Sequence, residues 1–445
     1  MERITRRGSM ALGAGVLAAA TLADGRPAWA AIPTANVEPP KQPIEAGATL
    51  RVLRPVKYVD PDQTFFDANT AKFSKAMGVP VRVDYVGFED LRPQTAVAAR
   101  TGAGPDIVLG WSDDPHLYTD KILELTELAN YLGKKYGGWE DLAANYGRKW
   151  KTDTWIAIPF GGSGGPAVFR KSWVKEAGYD TIPREHDKFL DLCRNLKKNN
   201  HPPGFALGNA VGDANAFCHW LLWSHNGYMV EEDGKVAINR PATIEALKYG
   251  RELYQTFIPG VLSWQDPSNN KAFIAGDISI TQNGVSIYFV LKNDPKTAAM
   301  AEDTDHAPMP TGRAASRPET ASVINSMVFK HTKFPNAAKE YIRFMLEAEQ
   351  YDPWLTATAG YWAHPLKAYR ESAVWKSDPK ILPYRDACGM EFWSGYKGPI
   401  NAASGAVLAD YVNVQMFAAV ASGQATPEDA AAEAERRAKR TYRQT

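Results

Sequence analysis

The chain has 445 residues, 44% of them apolar and 23% charged. That length exceeds what a single core supports, so two domains are expected. Fifty-one Lys and Arg stand against 50 Asp and Glu, a net charge of +1, which excludes the basic footprint of a nucleic-acid binder. Thirteen Trp and nineteen Tyr exceed the needs of core packing, and such a surplus suits a site that stacks flat ligands or sugar faces.

Residues 1–30 read as an export signal and are set apart from the fold. Arg3, Arg6 and Arg7 open it, Met10 to Ala23 is apolar but too short to span a bilayer, and Ala28-Trp29-Ala30 supplies a cleavage site before Ala31. Thr5-Arg6-Arg7-Gly8-Ser9-Met10 resembles the twin-arginine signal, with Ser9 where that signal usually carries Phe. No cysteine precedes Cys193, so no lipid anchor is expected at the cleavage point, and the exported chain is expected in the periplasm. Cys193, Cys218 and Cys388 match no zinc spacing and are expected as buried thiols. Residues 31–47, with Pro33, Pro39, Pro40 and Pro43, read as an extended leader.

The ordered chain then alternates. Leu50 to Leu53 reads as a strand, Asp60 to Met77 as a helix stopped by Gly78, Val81 to Tyr85 as a strand, Phe88 to Arg100 as a helix, and Asp106 to Leu109 as a buried strand. This β-α-β-α-β order predicts a parallel, doubly wound sheet. In such sheets ligands bind beyond the carboxyl ends of the strands. Those ends carry Lys57, Tyr58, Asp60, Phe88, Glu89, Trp111, Asp113 and Asp114. Carboxylates accept pairs of hydrogen bonds from vicinal hydroxyls, and aromatic rings cover the apolar face of a sugar or polyol. Helix capping is the competing role for Asp60, Asp62 and one of Asp113 and Asp114.

Lys121 to Tyr136 and Trp139 to Trp150 read as surface helices. Trp155 to Pro159 reads as a strand, followed by Gly161-Gly162-Ser163-Gly164-Gly165 and a second strand, Ala167 to Arg170. Such a glycine run suits a crossing between two bodies, or backbone pressed against ligand. Beyond it, helices at Pro183 to Lys198, Asp213 to His225, Thr243 to Phe257 and Asn269 to Gly276, with strands at Gly204 to Leu207 and Asp277 to Thr281, predict a second α/β body. Ala321 to Phe329 and Pro335 to Leu346 return to the first body as strand and helix. Residues 378–402 are irregular and aromatic, and helices at Ala403 to Ser422 and Pro427 to Tyr442 close the chain.

Five blocks in order carry a resemblance. Thr101 to Val108 holds Gly104-Pro105-Asp106-Ile107-Val108; Ile158-Pro159-Phe160 leads to Phe169-Arg170-Lys171 and Glu176-Ala177-Gly178-Tyr179-Asp180; Phe273-Ile274-Ala275-Gly276-Asp277 leads to Thr281 to Gly284; Pro308-Met309-Pro310 leads to Asn336 to Ile342; Ala418 to Ala434 follows. Together they resemble the extracellular solute-binding proteins of family 1, the class of the maltose-binding protein that feeds ABC importers. The resemblance implies a two-lobed α/β periplasmic-binding-protein fold with ligand enclosed between lobes. It places lobe one at 48–158 and 322–362, lobe two at 163–306 and 366–445, and hinges at 159–162, 307–321 and 363–365. It implies a small solute of carbohydrate or polyol type, with a phosphorylated polyol as the alternative, a membrane permease as partner, and a monomer.

The expected ligand-binding residues are Tyr58, Asp60, Glu89, Trp111, Asp113, Phe160, Gly161, Gly162, Trp220, Trp223, Trp264, Asn283, Gly284, Tyr361, Trp362 and Tyr396. Many sugar binders of this family place Trp two residues beyond the Asn-Gly turn, and here Ser286 stands there. No cofactor, metal or catalytic residue is expected. Glycoside hydrolysis would need a carboxylate pair such as Glu89 with Asp113, and neither H-E-x-x-H nor a Walker loop occurs.

Overall fold

The computed structural model describes residues 32–443, so the export-signal reading lies outside the described residues. Its strands are β1 Leu50–Pro55, β2 Val81–Val86, β3 Ile107–Gly110, β4 Ile158–Gly164, β5 Ala167–Arg170, β6 Ile280–Gln282, β7 Thr304–Ala307 and β8 Ala321–Val328. β1 pairs in parallel with β2 and β3, and the crossovers are the helices Asp60–Met77 and Phe88–Thr101. Both helices end at a glycine with positive φ, Gly78 and Gly102, whose amide returns to the carbonyl four residues earlier. β8 then pairs antiparallel with β3 and with β4, giving the order β2-β1-β3-β8-β4. The last third of the chain thus completes the first sheet.

Lobe one closes around Phe66, Phe73, Phe160, Tyr341 and Trp354. Beneath Phe66 lies a buried ion pair: Arg54 donates to Asp62 at 2.6 Å with both side chains 1% exposed, and its guanidinium sits 4.3 Å from the Phe66 ring centroid. The helix Ala348–Ala357, which supplies Trp354, escaped the sequence reading. The segment before β1 is no loose leader. Ile32 is buried, the Ala35 amide donates to the Lys135 carbonyl, and Glu45 accepts from the Asn336 and Ala337 amides at the start of the Pro335–Met345 helix.

The second sheet is small: β5 lies between β6 and β7, antiparallel to both. The expected strand at Gly204 to Leu207 is irregular. Pro202 and Pro203 bring no amide donor, and only isolated bonds join this stretch to β6, Gly204 to the Ile280 carbonyl and Ser279 to the Pro202 carbonyl. Helices Asp213–Ser224, Pro241–Tyr254 and Val412–Ala421 pack beside it. The expected single helix from Ala403 breaks into Ala402–Ala409 and Val412–Ala421, because Tyr411 adopts φ 53 between them.

Two boundaries differ from expectation. The glycine run is not the crossing: Gly161 to Gly164 continue β4 and pair with Ile324, Val323, Ser322 and Ala321 of β8 after a register shift between Pro159 and Gly161. The passage between sheets falls at Gly165-Pro166, and a second at residues 308–320. The chain also does not leave lobe one at 363–365. Tyr369 donates to the Leu346 carbonyl and stacks on Tyr136, and Arg370 pairs with Glu140, so residues 369 and 370 still cover lobe one. Asp378, by contrast, accepts from Tyr288 and Lys380 donates to the Ala301 carbonyl, so residues 378–380 rest on the segment that includes β7.

Candidate ligand-binding cleft

Between the sheets lies a cleft with about 550 Å³ of free space, open solvent at its mouth included. One wall comes from lobe one. Tyr58 follows β1, Phe88 opens the helix after β2, and Trp111 follows β3, so the carboxyl ends of all three parallel strands converge there. Tyr361 and Trp362 extend this wall. The rings touch in sequence: Trp111 stacks on Phe88 at 5.3 Å between centroids, Phe88 meets Tyr58 at 4.3 Å, Tyr58 meets Tyr361 at 6.0 Å, and Tyr361 meets Trp362 at 5.0 Å. The Tyr58 hydroxyl and the Trp111 and Trp362 Nε1 groups are buried with no hydrogen-bond partner in the protein.

The opposite wall is polar and comes from lobe two. Asp213 begins the helix Asp213–Ser224, Asp266 begins the helix Asp266–Ala275, Gln282 ends β6, and Asn283 and Gly284 follow it. Asp266 accepts from the Asp213 amide at 2.9 Å and the Gly212 amide at 3.1 Å, so it caps the neighbouring helix while starting its own. Burial, opposed by those amides and reinforced by the charge of Glu89, raises the Asp266 carboxyl to about 6. Burial and the adjacent Asp266 charge push Asp213 well above the usual carboxylate range, with the Asn269 amide pulling it partly back. Gln282 donates Nε2 to the Gly165 carbonyl and leaves its buried Oε1 unpaired. Ser163, Gly164, Gly165, Thr320 and Ser322 form the floor.

Six predicted residues line the cleft: Tyr58, Trp111, Asn283, Gly284, Tyr361 and Trp362. The others lie elsewhere. Asp60 points to solvent, 84% exposed and paired with Lys57. Asp113 is wholly buried beside Arg92, and burial, opposed by that guanidinium and reinforced by the Asp114 charge, raises it to about 7. Phe160 packs into the lobe-one core against Trp354 and Tyr351. Trp220 is sealed in the second core, with Nε1 donating to the Pro310 carbonyl, and Trp223 packs on Phe392. Tyr396 joins Trp223, Phe392 and Trp393 in the same group. Trp264 covers Gly204, where a Cβ would stand 2.6 Å from its ring. Glu89 does not line the free space; its Oε1 is buried and unpaired.

Gly161 and Gly162 face protein rather than the cleft. A Cβ at Gly161 would meet the Trp362 Cβ at 2.7 Å, and one at Gly162 the Cys388 Sγ at 2.7 Å. Gly284 is needed for a similar reason, since a Cβ there would stand 2.5 Å from the Ser163 Oγ. The letters of Gly161 to Gly165 also satisfy G-x-S-x-G, the motif of a nucleophile elbow. Ser163 lies within a strand, not on a strand-to-helix turn, and no histidine lines the cleft. Phe88 was legible as a strand-end residue, whereas nothing in the spacing of Asp213 and Asp266 announces that two helix starts meet. The three cysteines are free and buried, and among the described residues no group of three or more His, Cys, Asp or Glu is arranged to hold a metal ion. No described helix is long and apolar enough to cross a membrane.

Residues 68–383 match the sequence profile of the family described as bacterial extracellular solute-binding protein, and the chain belongs to that family. It is a solute-binding protein of the ABC transporter class. The chain is similar to YcjN of Escherichia coli (strain K12), named as an ABC transporter periplasmic-binding protein, with 23% identity over 322 residues, 70% of this chain and 72% of that one. Its fold is similar to maltose-bound MalE3 of T. maritima, at TM-score 0.73 and 18% identity over 88% of this chain and 99% of that one. It is also similar to an ABC transporter solute-binding protein of Agrobacterium vitis S4 with bound D-mannitol, at TM-score 0.72 and 17% identity over 89% and 99%.

Proposed function

We propose that this chain is the periplasmic, monomeric capture component of an ABC importer, closing its lobes over a carbohydrate or polyol and presenting it to a membrane permease. The observation that carries this reading is the pairing of walls: a run of five aromatic rings faces two carboxylates and two amides across one cleft. Rings cover the apolar face of a polyhydroxy solute while carboxylates and amides exchange hydrogen bonds with its hydroxyls. Maltose and mannitol in the structurally similar proteins support the same class. Closure follows from differential affinity, since ligand touching both walls favours the closed arrangement.

The role is binding, with no turnover of the solute. A phosphorylated polyol would meet no cation here, because Arg170 pairs with Asp303 and Lys57 with Asp60, and no basic residue lines the cleft. A thermal-shift screen of sugars and polyols tests the proposal: ligands raise the melting temperature by mass action, and a flat response across the panel rejects it. Recovery of the bound solute chemically unchanged checks the absence of turnover.

A further inference from the structure

Most buried acids elsewhere among the described residues come with cations. Asp62 has Arg54, Asp113 and Asp114 share Arg92, Glu140 has Arg370, and Glu347 has Lys135. Asp352 instead accepts from the Ser372 hydroxyl. The cleft departs from this rule at its centre. Asp213 and Asp266 face it together, Glu89 adds a third negative charge nearby, and no Lys, Arg or His is among the lining residues. Helix N-termini and backbone amides offset part of that charge at Asp266. They leave the charge of Asp266 beside Asp213, which together with burial holds the Asp213 carboxyl up, and both carboxyls add to the burial that raises the Tyr58 phenol.

The facing wall fits the same ligand. A cation is attracted to the faces of Trp, Tyr and Phe rings, and Tyr58, Phe88, Trp111, Tyr361 and Trp362 line the cleft as a run of touching rings. The buried, unpaired Gln282 Oε1 adds an acceptor on the acidic side. The unpartnered Tyr58 hydroxyl and Trp111 and Trp362 N–H groups are donors on the aromatic side, so the seat for a cation is the opposite side, where two carboxyls and the Gln282 Oε1 stand.

We propose that the solute carries a positive charge: an amine-bearing sugar or polyol, seated with its ammonium between Asp213, Asp266 and the Gln282 carbonyl and its carbon skeleton on the aromatic wall. This inference rests on the solute-capture reading and narrows it. An ammonium supplies three donors and the missing countercharge at once, whereas a neutral polyol satisfies the acceptors but leaves the charge.

The test is a matched panel, read by calorimetry at pH 7.5 on the full mature chain. Aminosugars and amino-polyols such as glucosamine, galactosamine and 1-amino-1-deoxysorbitol are each paired with the neutral parent and, where available, the N-acetylated form. The expected result is at least tenfold tighter binding of the amine within a pair. D213N is expected to shrink that ratio toward unity, and its unliganded melting curve reports that the variant is folded. If it does not fold, the wild-type ratios decide alone. Neutral parents binding as well as or better than their amines would overturn the cationic-ligand inference and leave solute capture standing. A panel in which no member of any pair binds would overturn the solute-capture reading on which the inference rests.

Discussion

The lobe-one core and the cleft treat buried carboxylates in opposite ways. Asp62 sits in the core with Arg54 at 2.6 Å and an aromatic ring over the guanidinium. Asp266 sits in the cleft with backbone amides, another acid and no side-chain cation. The first arrangement is complete within the chain, so its loss should be felt as instability. The second is completed from outside, so its loss should be felt as lost binding and gained stability, the usual trade between a site and its fold.

Arg54→Ala is the harshest way to probe the contrast. It strands Asp62 in the core, and removal of one partner of a buried pair costs about 3–5 kcal/mol. Urea denaturation should show a loss of that order; a loss below about 1 kcal/mol would mean that Asp62 finds another partner or takes up a proton. Gly161→Ala comes next. Its Cβ collides with Trp362 at the seam between core and cleft, so stability should fall by about 1–3 kcal/mol and solute binding should weaken with it. Unchanged stability would place Gly161 in open space.

Acid–base behaviour separates the two regions without altering their shape. The Asp266 carboxyl stands at about 6 in the fold against 3.8 ordinarily, so the folded state keeps a proton that the unfolded chain releases between those values. Stability from this group is therefore full below about pH 4 and lost as pH rises through about 6. The wild-type minus Asp266→Asn difference in unfolding free energy should decline across that window, whereas a flat difference would show that Asp266 titrates normally. Glu347 behaves in reverse. Its burial is outweighed by Lys135, Tyr136 and Tyr131, which hold it below the usual range, and its contribution is lost as pH falls. The gentlest change is Asp213→Asn, which removes a carboxyl held up by burial and by the Asp266 charge and should raise unliganded stability at pH 7 by about 1 kcal/mol. A fall of that size would instead make Asp213 a structural cap.

Half of the cleft was legible in the sequence. Three strands with short periodic patterns located their own carboxyl ends, and Tyr58, Phe88 and Trp111 followed directly. On the other wall the Asn283-Gly284 turn was legible too, but the carboxylates depend on where helix starts at residues 213 and 266 meet in space, which no local pattern encodes. Trp220 and Trp223 misled because an apolar helix buried on all sides displays the same residues as an aromatic site. The glycine run misled because its strand partner, β8, lies roughly 160 residues away in the chain. With that partner in place, Gly161 to Gly164 are sheet, and their missing side chains serve contacts with Trp362, Cys388 and Ala321.

One feature of the aromatic wall has an optical consequence. Trp111 and Trp362 both border the cleft, and both indole N–H groups lack partners in the protein. Indole emission responds to hydrogen bonding and to nearby charge, while Trp220, its N–H already engaged within the second core, is shielded from any occupant. The protein thus carries its own fluorescent gauge of occupancy, read against a constant background.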